Sequence, residues 1–183
     1  NGIKTEGSTH WAQDVGSVNG AAEKDDRFGW SLAAGDFNKD GFDDLAIGVP
    51  KEDVNGDDNA GYVNVLFGSN NGIDDAGDQS FHQDSSGIAG STEADDHFGF
   101  ALTTGDFDGD GYADLAIGVP KEDVSSGGNN NDGLVHILFG GSSGLTGSGS
   151  QEWHQNSTGI NGNAEKDDHF GYSLTAGDFD GDG

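Results

Sequence analysis

One block of sequence returns in register along the chain. FGWSLAAGDFNKDGFDDLAIGVPKEDV opens at Phe28, FGFALTTGDFDGDGYADLAIGVPKEDV at Phe98 and FGYSLTAGDFDGDG at Phe170, at spacings of 70 and 72 residues. A period of this length confines the chain to a repeat architecture, in which each unit buries its apolar faces only against its neighbours. A second similarity runs in step: GYVNVLFGS from Gly61 matches GLVHILFGG from Gly133, and Trp11, Phe81 and Trp153 each open an aromatic-x-Gln-Asp/Asn segment. Gly2 and Ile3 precede Trp11 as Gly72 and Ile73 precede Phe81. The expected organisation is the end of one unit over 1–27, complete repeats over 28–97 and 98–169, and the start of a further repeat over 170–183.

Within one period, FGFALTT (98–104), DLAIGV (114–119), GLVHILF (133–139) and QEWHQ (151–155) are β-prone runs bounded by Gly, Asp, Asn or Ser. The second and third are apolar at nearly every position, which suits strands covered on both faces. No amphipathic run of helical length interrupts them. Four short strands per unit, covered on both sides, predict an all-β fold of propeller blades, each a four-stranded antiparallel repeat of about 70 residues. About two and a half periods cannot close a ring of ~4 to 8 blades, so an incomplete ring is expected, completed by further copies of the repeat in the same or another chain.

Charge narrows the function. With 34 acidic against 7 basic side chains and a net charge of -27, the chain lacks the basic face that nucleic acid requires, and an anionic membrane surface repels it. No apolar run approaches the ~18 residues that span a bilayer, and without cysteine there is neither a disulfide framework nor a zinc-thiolate site. Average composition, 31% apolar with 34 glycines, leans toward disorder, but the register of the residues argues otherwise. Aspartate outnumbers glutamate 27 to 7, and aspartate is the acid of tight turns and compact oxygen-ligand loops.

Those aspartates fall between the first and second strands. Asp36, Asn38, Asp40 and Asp44 occupy positions 1, 3, 5 and 9 of a nine-residue loop, and Asp106, Asp108, Asp110 and Asp114 repeat the pattern. Gly41 and Gly111 hold position 6, where a sharp turn lets alternate side chains point inward, and Phe42 and Tyr112 at position 7 offer main-chain carbonyls. Ca²⁺ takes six to eight such oxygens. A third copy supplies Asp178, Asp180 and Asp182 before the chain ends at Gly183. Ile47 and Ile117 stand where an EF-hand needs glutamate, Mg²⁺ needs fewer carboxylates, and transition metals want imidazole or thiolate. Against the alternative of merely solvated turns stands the in-register glycine. Cation binding is then expected to be coupled to folding, because empty loops hold mutually repelling carboxylates.

These motifs together resemble the FG-GAP repeats of the integrin α-subunit propeller and its bacterial relatives, with valine in place of the middle alanine of the Gly-Ala-Pro. The resemblance implies a seven-bladed propeller with calcium in the loop joining the first two strands of certain blades. By it the ligands map onto Asp36, Asn38, Asp40, Phe42 and Asp44, and onto Asp106, Asp108, Asp110, Tyr112 and Asp114.

The function so predicted is a calcium-stabilised extracellular, secreted or cell-surface module for adhesion, recognition or assembly, without catalysis in this segment. A protein or glycan ligand is expected at the propeller loops. Two alternatives are a non-catalytic propeller within a larger secreted lyase or phospholipase, and an acidic surface of the halophile kind. No serine stands in a GxSxG elbow, and no nucleophile, base and orienter set appears. Lys51-Glu52-Asp53 with Lys121-Glu122-Asp123, and Glu23 to Asp26 with Glu165 to Asp168, read as solvated charge or as partner-binding loops. Trp30, Phe100 and Tyr172, like Trp11, Phe81 and Trp153, read as core packing. Asn156-Ser157-Thr158 is a glycosylation sequon by pattern alone.

Overall fold

The computed structural model describes residues 9–124 and 130–178, and among them the fold is all-β with no helix. The first sheet runs β1 (Ser31–Gly35), β2 (Asp44–Val49), β3 (Tyr62–Phe67) and β4 (Asp74–Phe81), hydrogen-bonded in that order. The second repeats it as β5 (Ala101–Gly105), β6 (Asp114–Val119), β7 (Leu134–Phe139) and β8 (Thr146–Trp153). Every pairing is antiparallel, and the registers match: Gly35 faces Asp44 as Gly105 faces Asp114. These are two propeller blades.

Both faces of the first sheet are covered, as its continuous apolar strands require. Successive residues of a strand point to opposite faces. Ala46, Val63, Val65 and Phe81 pack with Leu115, Ile117, Leu134 and Leu138 of the second sheet around Phe37 and Phe98. Ile47 and Leu66 instead bury against Val18, with Trp11 and Phe28 beside them. Leu102 of β5 packs against the intersheet core, whereas its counterpart Leu32 of β1 is 59% exposed.

Strand boundaries differ from expectation at two places. β5 begins at Ala101 instead of residue 98, because Phe98 leaves its own sheet to bridge Gly61 of the previous blade, its N–H donating to the Ala60 carbonyl at 2.8 Å. Gly99 follows with φ +83°, and a Cβ on Gly48 would lie 2.1 Å from the Gly99 oxygen. The Phe-Gly of one blade thus docks backbone to backbone on the Gly-Val-Pro glycine of the blade before it, which only glycine permits. Gly171 meets Gly118 in the same way. β8 starts at Thr146, earlier than residue 151, where Thr-Gly-Ser-Gly-Ser carries little β-propensity but pairs with Phe139 past a register shift at the sheet edge.

Candidate metal centre

The connection between the first two strands of each blade begins and ends on aspartate, and its last aspartate is the first residue of β2 or β6. Asp44 and Asp114 are fully buried. The Asp44 carboxylate accepts the N–H groups of Phe37 and Gly68, both at 2.9 Å, and that of Asp114 accepts Phe107 at 2.7 Å and Gly140 at 2.8 Å. Each therefore ties its own loop to the turn between the third and fourth strands. Burial raises both carboxyls above the ordinary aspartate range, those N–H bonds oppose the shift, and Asp40 with Asp36, or Asp108 with Asp106, adds to it.

The other members curl around their own backbone. Asp36 accepts the N–H groups of Asp40 (3.0 Å) and Gly41 (2.8 Å), and Asp40 accepts that of Phe42 (3.0 Å). In the second loop Asp106 accepts Gly109 (2.8 Å), Asp110 (3.1 Å) and Gly111 (2.9 Å), and Asp110 accepts Tyr112 (2.9 Å). Asn38 and Asp108 each accept the N–H two residues on, at 3.0 and 3.2 Å. These bonds curl each loop about its own carboxylates, with Gly41 and Gly111 at φ +94° and +83° making the turn, but among the described residues only the second loop brings three carboxylates together. Ligand oxygens of Asp106, Asp108 and Asp114 come within 4.8 Å of one another. Asp110 stands outside that trio. Three carboxylates so placed repel unless a cation joins them, and an all-oxygen donor set fits calcium. In the third copy Asp178 is exposed, while Asp180 and Asp182 lie outside the described residues.

At the opposite end of the blades lies a second carboxyl group set. Glu23, Asp26 and Glu52 approach within 4.8 Å, and Asp26, Glu52, Asp96 and Glu122 are all buried. Gln13 Nε2 donates to Glu52 and Gln83 Nε2 to Glu122, each at 2.5 Å. Burial pushes Glu52 up to about 7 and Glu122 to about 7, and burial followed by the nearby Glu122 pushes Asp96 up to about 8. The charged loops that read as solvated charge or as partner-binding loops are thus partly interior. The signal that finds them is the glutamine of the aromatic-x-Gln segment, which recurs in step as Gln13, Gln83 and Gln155.

The aromatic residues after each Phe-Gly are likewise not core. Trp30 is 47% and Tyr172 59% exposed, and they flank Phe100 in a ladder with ring centroids 5.4 and 4.7 Å apart. Trp153 is exposed too, whereas Phe81 is buried and Trp11 packs beside Val18.

Comparison with known proteins points the same way. The sequence pattern of the FG-GAP repeat matches residues 28–66 and 98–138. Phosphatidylinositol-glycan-specific phospholipase D of Rattus norvegicus is 32% identical over 159 residues, 86% of this chain and 17% of that protein. Integrin alpha-7 of Homo sapiens is 34% identical over 157 residues, 85% of this chain and 11% of that protein. Integrin alpha-PS2 of Drosophila melanogaster is 35% identical over 118 residues, 62% of this chain and 8% of that protein. The chain thus spans under a fifth of the length of these relatives.

Proposed function

The chain is an FG-GAP repeat protein, and from that premise we propose that it is a calcium-stabilised extracellular recognition module, with repeats 28–97 and 98–169 as its blades. The observation that carries the reading is the convergence of Asp106, Asp108 and Asp114 around a carboxylate that is buried and bonded to two strand connections. The ligands of the first ion are Asp36, Asn38, Asp40, Asp44 and the Phe42 carbonyl. Those of the second are Asp106, Asp108, Asp110, Asp114 and the Tyr112 carbonyl. The chemistry calcium supplies is charge neutralisation; the chain's own residues do the rest. Asp114 couples the loop to the β7–β8 turn at Gly140, so order in the loop is passed to the sheet edge.

Recognition is assigned to the opposite end of the blades, where Trp30, Phe100 and Tyr172 offer an aromatic surface to a protein or glycan ligand. The likeness to phospholipase D supports a second reading, a non-catalytic propeller part of a larger enzyme.

Calorimetric titration of the EDTA-stripped protein with calcium tests the first reading. One ion per complete loop and a large rise in melting temperature are expected. Stability that follows bulk salt and ignores calcium removes the metal sites.

A further inference from the structure

We propose that Lys39 is a splint, carried by the first blade, that holds the second aspartate loop in its ligating shape when no cation is present. Lys39 stands at position 4 of its loop, where the second loop has Gly109. Its φ is +60°, the left-handed region that Gly109 occupies at +77°. A lysine pays a conformational penalty there that glycine does not, so its contacts must offset that cost. They all lie on the neighbouring blade. Lys39 Nζ donates to the Asp110 carbonyl at 3.1 Å and sits 5.0 Å from the centroid of the Tyr112 ring. Between these two residues Gly111 leaves the space: a Cβ there would lie 2.4 Å from Nζ.

The ammonium therefore holds Asp110 and Tyr112 across Gly111 at the tip of the second loop without using any oxygen assigned to the ion. Asp110 would ligate through its side chain, and the position-7 carbonyl belongs to Tyr112. One main-chain bond already joins the bases of the loops, Ala113 N–H to the Asp36 carbonyl at 3.1 Å, and a second ties the first loop to the β7–β8 turn, Gly141 N–H to the Phe37 carbonyl at 3.0 Å. Lys39 adds the tip. Its positive charge also offsets the mutual repulsion of Asp106, Asp108 and Asp110 in the empty loop. The ligating role of the loop rests on the calcium reading; the cross-blade grip does not.

The test is amide hydrogen exchange by NMR on the protein in EDTA, comparing wild type with Lys39→Gly and Lys39→Met. Lys39→Gly installs the residue the second repeat uses and relieves the left-handed backbone, so any loosening comes from the missing ammonium. Amides of Gly109 to Tyr112 are expected to exchange on the order of tenfold faster in both variants, with those of β6 unchanged and with the difference shrinking once calcium saturates the wild type. Unchanged exchange at these amides in EDTA overturns the splint, as does a difference that persists after calcium has measurably bound. A wild type that binds no calcium removes the ion reading instead, and the EDTA comparison still decides the grip.

Discussion

The two ends of each blade carry the same functional group and treat it in opposite ways. At the loop end, aspartates are lined by main-chain N–H groups from their own turn and stay open to solvent except for Asp44 and Asp114. At the other end, Glu52, Asp96 and Glu122 are buried, and a glutamine from the preceding segment donates into each glutamate. N–H donors point into both sets, so burial makes the difference: it pushes Glu52, Asp96 and Glu122 up to about 7, 8 and 7, where a proton can neutralise them. We therefore assign neutralisation by a cation to the loop end and neutralisation by a proton to the amide end. An acidic chain can thus bury carboxyl groups without cations in every cluster.

The most damaging way to break the loop end is Asp114→Ala. It strands the Phe107 and Gly140 N–H groups, which are part-buried and so cost toward the low end of about 1–3 kcal/mol each, and a loss of about 2 kcal/mol is expected in urea unfolding even without calcium. Asp114→Asn keeps one of the two accepting oxygens and turns its NH2 toward the other N–H, so it is expected to recover only part of that loss in EDTA, and to lose the calcium response of that loop. Equal unfolding of the two variants in EDTA would show that the carboxylate does not hold the strand connections together.

The amide end is separated from the loop end by pH. Burial raises the folded pKa values of Glu52, Asp96 and Glu122 to about 7, 8 and 7, well above the ordinary carboxyl range of the unfolded chain. The fold therefore binds protons that the unfolded chain releases, so this contribution is full below pH about 4 and is lost as pH rises through 7 to 8. In EDTA the melting temperature is expected to fall by on the order of 5 °C between pH 5 and 9. Asp96→Asn, which keeps the oxygen that accepts the Glu93 N–H, should flatten that slope. A melting temperature that climbs across the same interval would sink the proton assignment. Calcium-dependent stabilisation runs the other way, since ligands must be ionised.

Much of this is legible in the residues. DLAIGV and its partners announce doubly covered strands, and the aspartate register announces the loops, because both patterns are local. What is not legible depends on the neighbouring blade. Phe98 reads as strand but bridges Gly61, and Glu122 reads as solvated but is enclosed once Gln83 arrives from the end of β4. Trp30 reads as core because aromatic residues bury area, yet its position after the Phe-Gly puts it on the rim.

The finest discrimination comes from Gln83→Leu. Gln83 is buried, its Nε2 bonded to Glu122 and its Oε1 without a partner, so leucine removes one good hydrogen bond and one orphaned acceptor together. A hydrogen bond to a neutral carboxyl is worth about 0.5–1.5 kcal/mol and one to a carboxylate about 1.5–3. At pH 5, where Glu122 holds its proton, the two losses nearly cancel and the variant should unfold within about 1 kcal/mol of wild type. At pH 9 the carboxylate loses its only strong donor among the bonds described, and the deficit should grow to about 2 kcal/mol. A deficit that is constant with pH would mean that Glu122 does not change charge across this range. The amide end would then be an ordinary buried hydrogen bond, with no titrating counterpart to the cation loops.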